Sequence, residues 1–245
     1  MYTEQDIQKL QQWIEESTRI VFFGGAGVST ESGIQDFRSE DGLYRSRYRY
    51  PPEVILSHHF FMQKPEDFFD FYREKMLCLS ARPNAAHYKL AELEQTGKLT
   101  AVITQNIDGL HQMAGSKQVL ELHGSIHRNF CMECGREYPA AYIKQTTGIP
   151  RCSCHKKGII KPDVVLYEES LDAATLRQAI HSIQEADMLI VGGTSLAVYP
   201  AAGLLNDYQG HKLVLINRSS TPYDDRADLQ ISGSIGRILG QLSVP

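Results

Sequence analysis

The sequence predicts an α/β protein: a doubly wound, parallel, Rossmann-like sheet carrying a smaller inserted zinc-binding and helical domain. Three observations carry this expectation. Short apolar runs at 20–23, 99–104, 119–122, 188–191, 212–216 and 228–231 alternate with helical stretches. The runs lack the period-two alternation of a half-solvated strand, so they read as parallel strands covered on both faces. Most of them end in glycine or polar residues, and open α/β sheets bind their ligands at that edge.

Each element has a local reason. Residues 5–17 place Ile7, Leu10, Trp13 and Ile14 on one helical face. The strand at 20–23 runs into Gly24-Gly25-Ala26-Gly27, and these glycines with Gly33 let the backbone turn sharply and approach a bound group closely. A helix opening after such a turn points free N–H groups at a phosphate. Asp36-Phe37-Arg38 then adds an aromatic wall and a cation. Residues 39–52 are polar, rich in Arg and Tyr, end in Pro51-Pro52, and read as a loop. Residues 53–80 read as mostly helical, with Phe60, Phe61, Phe68, Phe69 and Phe71, and Pro83-Asn84 starts a helix through 93. Residues 164–167 read as a short strand of the main pattern, 171–185 as a helix, and Ile235 begins a C-terminal helix.

The net charge of −4 argues against a dedicated nucleic-acid binder. No apolar run approaches the roughly 20 residues that span a bilayer. The polar start, Met1 to Asp6, lacks the apolar core of a signal peptide, so a cytoplasmic protein is expected. Cys131-x2-Cys134 followed by Cys152-x-Cys154 has the paired-knuckle spacing of one structural zinc site, with His155 as an alternative fourth ligand. Cys78 lies apart and reads as a small buried hydrophobe.

The glycine turn is not a G-x-G-x-x-G, and no acidic ribose partner follows about twenty residues later, which weighs against a dehydrogenase. Thr104-Gln105-Asn106-Ile107-Asp108-Gly109-Leu110-His111 crowds amides and a carboxylate at a strand end. That cluster either surrounds a polar ligand or caps a helix through Asn106 or Asp108. His123 follows the strand at 119–122, where it is either a general base near pH 7 or a structural histidine.

Taken in order, GAGVS at 25–29, GIQDFR at 33–38, TQNID at 104–108, HG at 123–124, the cysteine pairs, KPDVVLYEE at 161–169, GGTSL at 192–196 and Asn217 resemble the sirtuins, the NAD-dependent protein deacetylases. The resemblance covers nearly the whole chain and is nearest to bacterial members. It implies a single catalytic domain over 1–245. The Rossmann-like part would be 1–38, 85–128 and 163–245; the small part would come from 39–84 and 129–162. It implies that NAD is consumed as a co-substrate, and that acyl-lysine is converted to free lysine with nicotinamide and O-acyl-ADP-ribose as the other products. His123 would be the base on a ribose hydroxyl. Asn106 would order the ribose and Asp108 would hold the nicotinamide carboxamide. Gly25, Ala26, Gly27, Thr30, Asp36, Phe37, Arg38, Gln105 and Ile107 would complete the nicotinamide and phosphate end. Gly193, Thr194, Ser195, Asn217 and Ile235 would contact the adenosine half. Phe37, Val165, Tyr167 and Val198 would meet the acyl-lysine peptide, and Cys131, Cys134, Cys152 and Cys154 would hold the zinc.

A monomer acting on acyl-lysine proteins or peptides is expected, with no membrane and no nucleic-acid partner. Two other readings are an ADP-ribosyltransferase and a zinc-ribbon nucleic-acid module; the latter would use the aromatic and basic run Tyr44 to Tyr50. Departures from the family pattern are Gly24 for Thr, Gln35 for Pro, the C-x-C pair, and Glu168 for Gly in the substrate-pairing segment. Tyr72-Arg73 is not the Tyr-x-x-Arg pair of sirtuins that take acidic acyl groups, so acetyl or another neutral acyl group is expected.

Overall fold

The structure, a computed structural model, describes residues 2–36, 42 and 49–244. Its strands are β1 (Ile20–Gly24), β2 (Leu99–Thr104), β3 (Val119–Glu121), β4 (Gly124–Cys131), β5 (Glu137–Pro139), β6 (Ile160–Val164), β7 (Met188–Gly192), β8 (Leu213–Asn217) and β9 (Leu229–Ser232). Six of them form one parallel sheet in the order β3-β2-β1-β7-β8-β9. Renumbered within that sheet, this is the 3-2-1-4-5-6 order of dinucleotide-binding proteins. The order reverses between β1 and β7, where such sheets open a crevice.

Helix α1 (Glu4–Glu16) starts at a reciprocal capping box between Thr3 and Asp6. Ile20, Phe22, Val102, Ile190, Val214 and Ile216 pack on the face covered by α1, α5 (Ala85–Gln95) and α9 (Ile235–Leu239). Val21, Phe23, Ile103, Leu189, Val191 and Leu215 pack on the other face, which α8 (Ala173–Gln184) helps to cover. Successive side chains of one strand enter opposite cores. Burial on both faces is why the strands read as unbroken apolar runs. Each fully buried Val, Leu, Ile or Phe contributes about 1.5–3 kcal/mol relative to exposure.

β4, β5 and β6 form a second, antiparallel sheet in the order β5-β4-β6. It starts directly after His123, and β6 ends at Val164, so this sheet extends beyond the cysteine module on both sides. Residues 164–167 are therefore not a strand of the main sheet. Val164 pairs with Gly124 in the second sheet, and Tyr167 makes one isolated bridge to Ser57. Residues 53–80 are also more broken than the sequence suggests. They form α2 (Pro52–Ile55), α3 (His58–Gln63) and α4 (Pro65–Phe71), then a π-type turn over Tyr72–Met76. Ser57 caps α3, and Pro65, which lacks an N–H, sits at the first turn of α4. The five phenylalanines share one core, packed with Ile126, Ile143 and Ile160. Most of the loop expected at 39–52 lies outside the described residues.

Polar side chains tie these elements together. Arg128 on β4 donates to Glu121 on β3 and to Asp163 on β6, both at 2.8 Å. Asn84 caps α5 and donates its amide to Val28 O at 2.8 Å and Ser32 Oγ at 2.9 Å, fastening the glycine turn to the helix. Among the described residues no helix is long and apolar enough to cross a membrane.

Beneath the sheet edge, the His87 and His111 rings meet at a centroid distance of 4.7 Å, tilted by 56°, both fully buried. Neither nitrogen of His111 has a hydrogen-bond partner, nor does Nε2 of His87. Burial holds His87 down at about 4 against the opposing charge of Asp108. Burial and then His87 hold His111 at about 3. The unfolded chain binds these protons near the ordinary value of 6.5. The folded state refuses them, so stability is complete above that value and falls with pH down to about 4. The urea midpoint is expected to drop over this window with up to about two protons taken up on unfolding, or about 1.4 kcal/mol per pH unit for each. Proton uptake that stays at wild-type level in a His87→Gln, His111→Gln variant contradicts this assignment.

Candidate active site

Two glycine turns at the β1/β7 crevice interlock through backbone alone. Gly25 N donates to Gly192 O at 3.3 Å and Gly27 N to Gly193 O at 2.7 Å. A Cβ on Gly27 would lie 2.7 Å from Gly193 Cα. Gly193, at φ +61°, would place one 2.4 Å from Val28 N. Only residues without side chains allow this approach.

The end of β2 is locked to the same turn. Gln105 N donates to Gly24 O at 2.9 Å, and Gln105 Nε2 donates to Thr194 Oγ1 at 3.0 Å. Thr194 N in turn donates to Asn217 Oδ1 at 3.0 Å, reaching the end of β8. Ser29, a residue of the glycine turn that the sequence reading did not single out, joins the remaining polar groups. Its hydroxyl donates to Asp108 Oδ2 at 2.6 Å and accepts from Asn106 Nδ2 at 3.1 Å. Its presence in the GAGVS motif was the available signal; no spacing in the sequence links position 29 to position 108.

The capping alternative is met in part. Asp108 Oδ1 accepts from Leu110 N at 2.9 Å, one residue ahead of Gly109, the N-cap position of α6 (Leu110–Ala114). Both carboxylate oxygens are thus fixed, and each keeps a lone pair for a ligand.

His123 Nδ1 lies 3.0 Å from the carbonyl oxygen of Gln105. A carbonyl only accepts, so Nδ1 carries the hydrogen and Nε2 presents a lone pair. Burial lowers the His123 pKa from its ordinary value, and the bond to Gln105 opposes that shift in part. The imidazole is therefore neutral at pH 7. In that state it can take a proton.

A cavity of about 830 Å³ spans the C-terminal sheet edge. Gly25, Ala26, Gly27, Thr30, Asp36, Gln105, Asn106, Ile107, Asp108 and His123 line it together with Gly193, Thr194, Ser195, Asn217 and Ile235. Val165, Tyr167 and Val198 line its flank. Phe37 and Arg38 lie outside the described residues. Cys78 also lines the cavity and is half-buried rather than buried. Burial and the charge of Asp108 raise its pKa, so it remains a thiol.

Glu168 adopts φ +76°, a left-handed conformation that suits glycine. Its carboxylate compensates by accepting from His59 N, at the start of α3, at 2.9 Å. Glu169 accepts from Lys161 at 3.1 Å and Leu166 N at 2.9 Å, and lies 2.8 Å from His58 Nδ1. The segment after β6 is thereby pinned to the helical module.

The four cysteines of the module converge, with all sulfurs within 4.8 Å of one another. Cys131 and Cys154 are 3.9 Å apart, and Cys134 and Cys152 are 3.6 Å apart. A zinc tetrahedron with bonds of about 2.3 Å has sulfur–sulfur edges near ~3.8 Å, so the set fits that ion. The C-x-C turn brings both of its sulfurs into the set, and His155 is not part of it. None of the four lines the cavity. N–H groups of Glu133 and Cys154 and the Tyr138 hydroxyl point at these sulfurs, as suits thiolates.

Fold and site together define a dinucleotide-binding α/β protein with a closed four-cysteine metal centre. The Sir2 family pattern matches residues 25–200, and the chain belongs to that family, the sirtuins. It is 62% identical over 237 residues to a Clostridium acetobutylicum protein named NAD-dependent protein deacetylase, covering 95% of this chain and 96% of that one. A Clostridium tetani protein of the same name is 58% identical over 236 residues, covering 95% of each. Among solved structures, a Sir2 enzyme matches with TM-score 0.88 at 41% identity, over 98% of this chain and 96% of the other. A Sir2 complex with a p53 peptide and NAD+ matches with TM-score 0.85 at 39% identity, over 95% of both chains.

Metal analysis of the purified protein is expected to find about one zinc per chain, and Cys131→Ala to lose the metal together with thermal stability. A metal-free protein with unchanged melting contradicts a structural role.

Proposed function

We propose that this chain is an NAD-dependent protein lysine deacetylase that releases nicotinamide, free lysine and O-acyl-ADP-ribose. The observation that carries the reading is the neutral His123, tethered through Nδ1 to Gln105 O, in the same cavity as the Ser29–Asp108–Asn106 cluster. The names of the relatives support it.

The residues present fit a dinucleotide. The cavity volume lies in the range of small-molecule sites. Asn217 Nδ2 is buried without a protein partner, a donor left for a ligand. NAD, when bound, supplies an anomeric carbon bearing nicotinamide as the leaving group. Asp108 accepts from the nicotinamide carboxamide with its remaining lone pairs, and Ser29 and Asn106 hold it in place. Ala26 and Thr30 stand against the phosphates, and Gln105 and Asn106 order the reacting ribose. His123 Nε2 takes the proton of a ribose hydroxyl. Phe37 and Arg38 keep the roles that the family resemblance gives them. The fixed dipoles of the cavity favour positive charge developing at the sugar more than mobile water does.

The substrate peptide adds as a strand between 164–167 and 197–199, reading mainly backbone. All four residues line the cavity; Val164 and Leu166 are buried, whereas Val165 and Tyr167 are more exposed, the alternation of an extended segment. Val198 closes the opposite side. Arg73 is committed to Ile143 O, Gly148 O and Asp70, and Tyr72 is fully buried against Phe68. Neither reaches the cavity, which supports acetyl or another neutral acyl group. The chain is read as a Rossmann-like part (1–38, 85–128, 163–245) and a small part (39–84, 129–162), with β4 and β6 of the second sheet running across that boundary. The protein acts as a cytoplasmic monomer without nucleic acid.

Incubation with NAD and an acetylated peptide is expected to release nicotinamide and deacetylated peptide, each dependent on both reactants. His123→Ala is expected to cut turnover by about 10²-fold or more, as loss of a general base does, with zinc content unchanged. Retention of more than about a tenth of the wild-type rate contradicts the role of His123.

A further inference from the structure

Resting on that NAD site, we infer that the adenosine end of the cavity accepts a phosphate on the ribose 2′-hydroxyl, so that NADP competes with NAD for this protein. The lining there comes from the ends of two adjacent parallel strands. Asn217 ends β8 and Arg218, Ser219 and Ser220 follow it, and Gly233 and Ser234 follow β9. Gly233 N donates to Asn217 O at 2.9 Å, which holds the two strand ends side by side.

The side chains that line this end include no carboxylate; Glu31 beside it accepts from Gly236 N at 2.7 Å and does not line the cavity. A site that selects the unphosphorylated ribose places a carboxylate at the strand end that receives it. The carboxylate accepts from the 2′-hydroxyl and repels a phosphate, whereas an arginine there accommodates one. The cavity's carboxylates, Asp36, Asp108, Glu168 and Glu169, all belong to other segments. Residues 216–220 and 233–235 contribute none. Arg218 donates through Nε and Nη2 to Ser234 Oγ, at 3.1 and 2.7 Å. That acceptor is a neutral hydroxyl, and among the described residues Arg218 has no carboxylate partner. Its charge is thus held over the cavity edge by a bond that leaves it uncompensated. The hydroxyls of Ser219 and Ser220 donate or accept equally well, so they tolerate either ribose. The unpartnered Nδ2 of Asn217 adds a further donor and no negative charge. A 2′-phosphate gains a charge-assisted contact here.

Calorimetric titration of the zinc-loaded wild type with NAD and with NADP, without peptide, reads this directly. The NADP dissociation constant is expected within about fivefold of that for NAD, and the ratio of NADP to NAD constants is expected to rise about tenfold or more in Arg218→Glu and in Ser219→Asp. Both positions are exposed, so both variants keep the core intact. Higher salt is expected to weaken NADP more than NAD. NAD binding in the wild type with NADP weaker by about a hundredfold or more overturns this inference alone, as does an unchanged ratio in both variants. Failure of NAD itself to bind overturns the proposed function and this inference with it.

Discussion

The backbone of Gln105 is the point on which the rest of the site depends. Its N–H donates to Gly24 O and its carbonyl accepts from His123 Nδ1, so the backbone of one residue connects β1, the end of β2 and the residue that precedes β4. Both bonds follow from parallel pairing: Gly24 lies opposite Thr104 in the β1/β2 register, which delivers Gln105 to the glycine turn. His123 then continues into Gly124, whose φ of +75° and close packing on Asp163 O turn the chain out of the main sheet. The tautomer of the imidazole is thus a consequence of sheet register. No side chain has to select it.

This arrangement separates two kinds of work. The interlocked glycine turns and the parallel core make a rigid edge from short-range backbone contacts. The second sheet and the zinc centre hold the segment that follows β6, and they meet the site through backbone groups: Val165 N donates to His123 O at 3.0 Å, Ile126 N donates to Ile107 O at 2.9 Å, and His127 Nε2 lies 3.0 Å from Asp108 O. Arg128, forked between Glu121 and Asp163, is the main charged tie across that junction. Because it is partly exposed, it orients the two parts more than it stabilises them.

Much of this was legible in the sequence because the signals are local. Strand boundaries at 99–104 and near 188–191 follow from apolar runs ending in polar residues. The start of α5 follows from Asn84, whose side chain is the kind that caps. The site residues were legible because they cluster at strand ends, and strand ends of one parallel sheet share an edge. What escaped was decided by distant partners. Ser29 meets Asp108 only once β1 and β2 lie side by side. The run after Pro162 is apolar enough for a main-sheet strand, but Gly124 and Asn129 claim Val164 and Pro162 for the second sheet. The aromatic stretch after position 53 has the composition of a long helix, yet Ser57 and Pro65 divide it into short ones. Glu168 departs from the glycine of the family pattern and is tolerated through a bond to His59 N, over a hundred positions away in sequence.

Nitrogen-detected NMR of the His123 ring across a pH titration tests the central claim most directly, since it reads the tautomer and the protonation in one experiment. The account requires hydrogen on Nδ1 and a bare Nε2 at neutral pH, with the second proton binding below the ordinary histidine value of 6.5. Hydrogen on Nε2 at neutral pH, or protonation above that value, would show that Gln105 does not hold a base ready at this edge and would contradict the account.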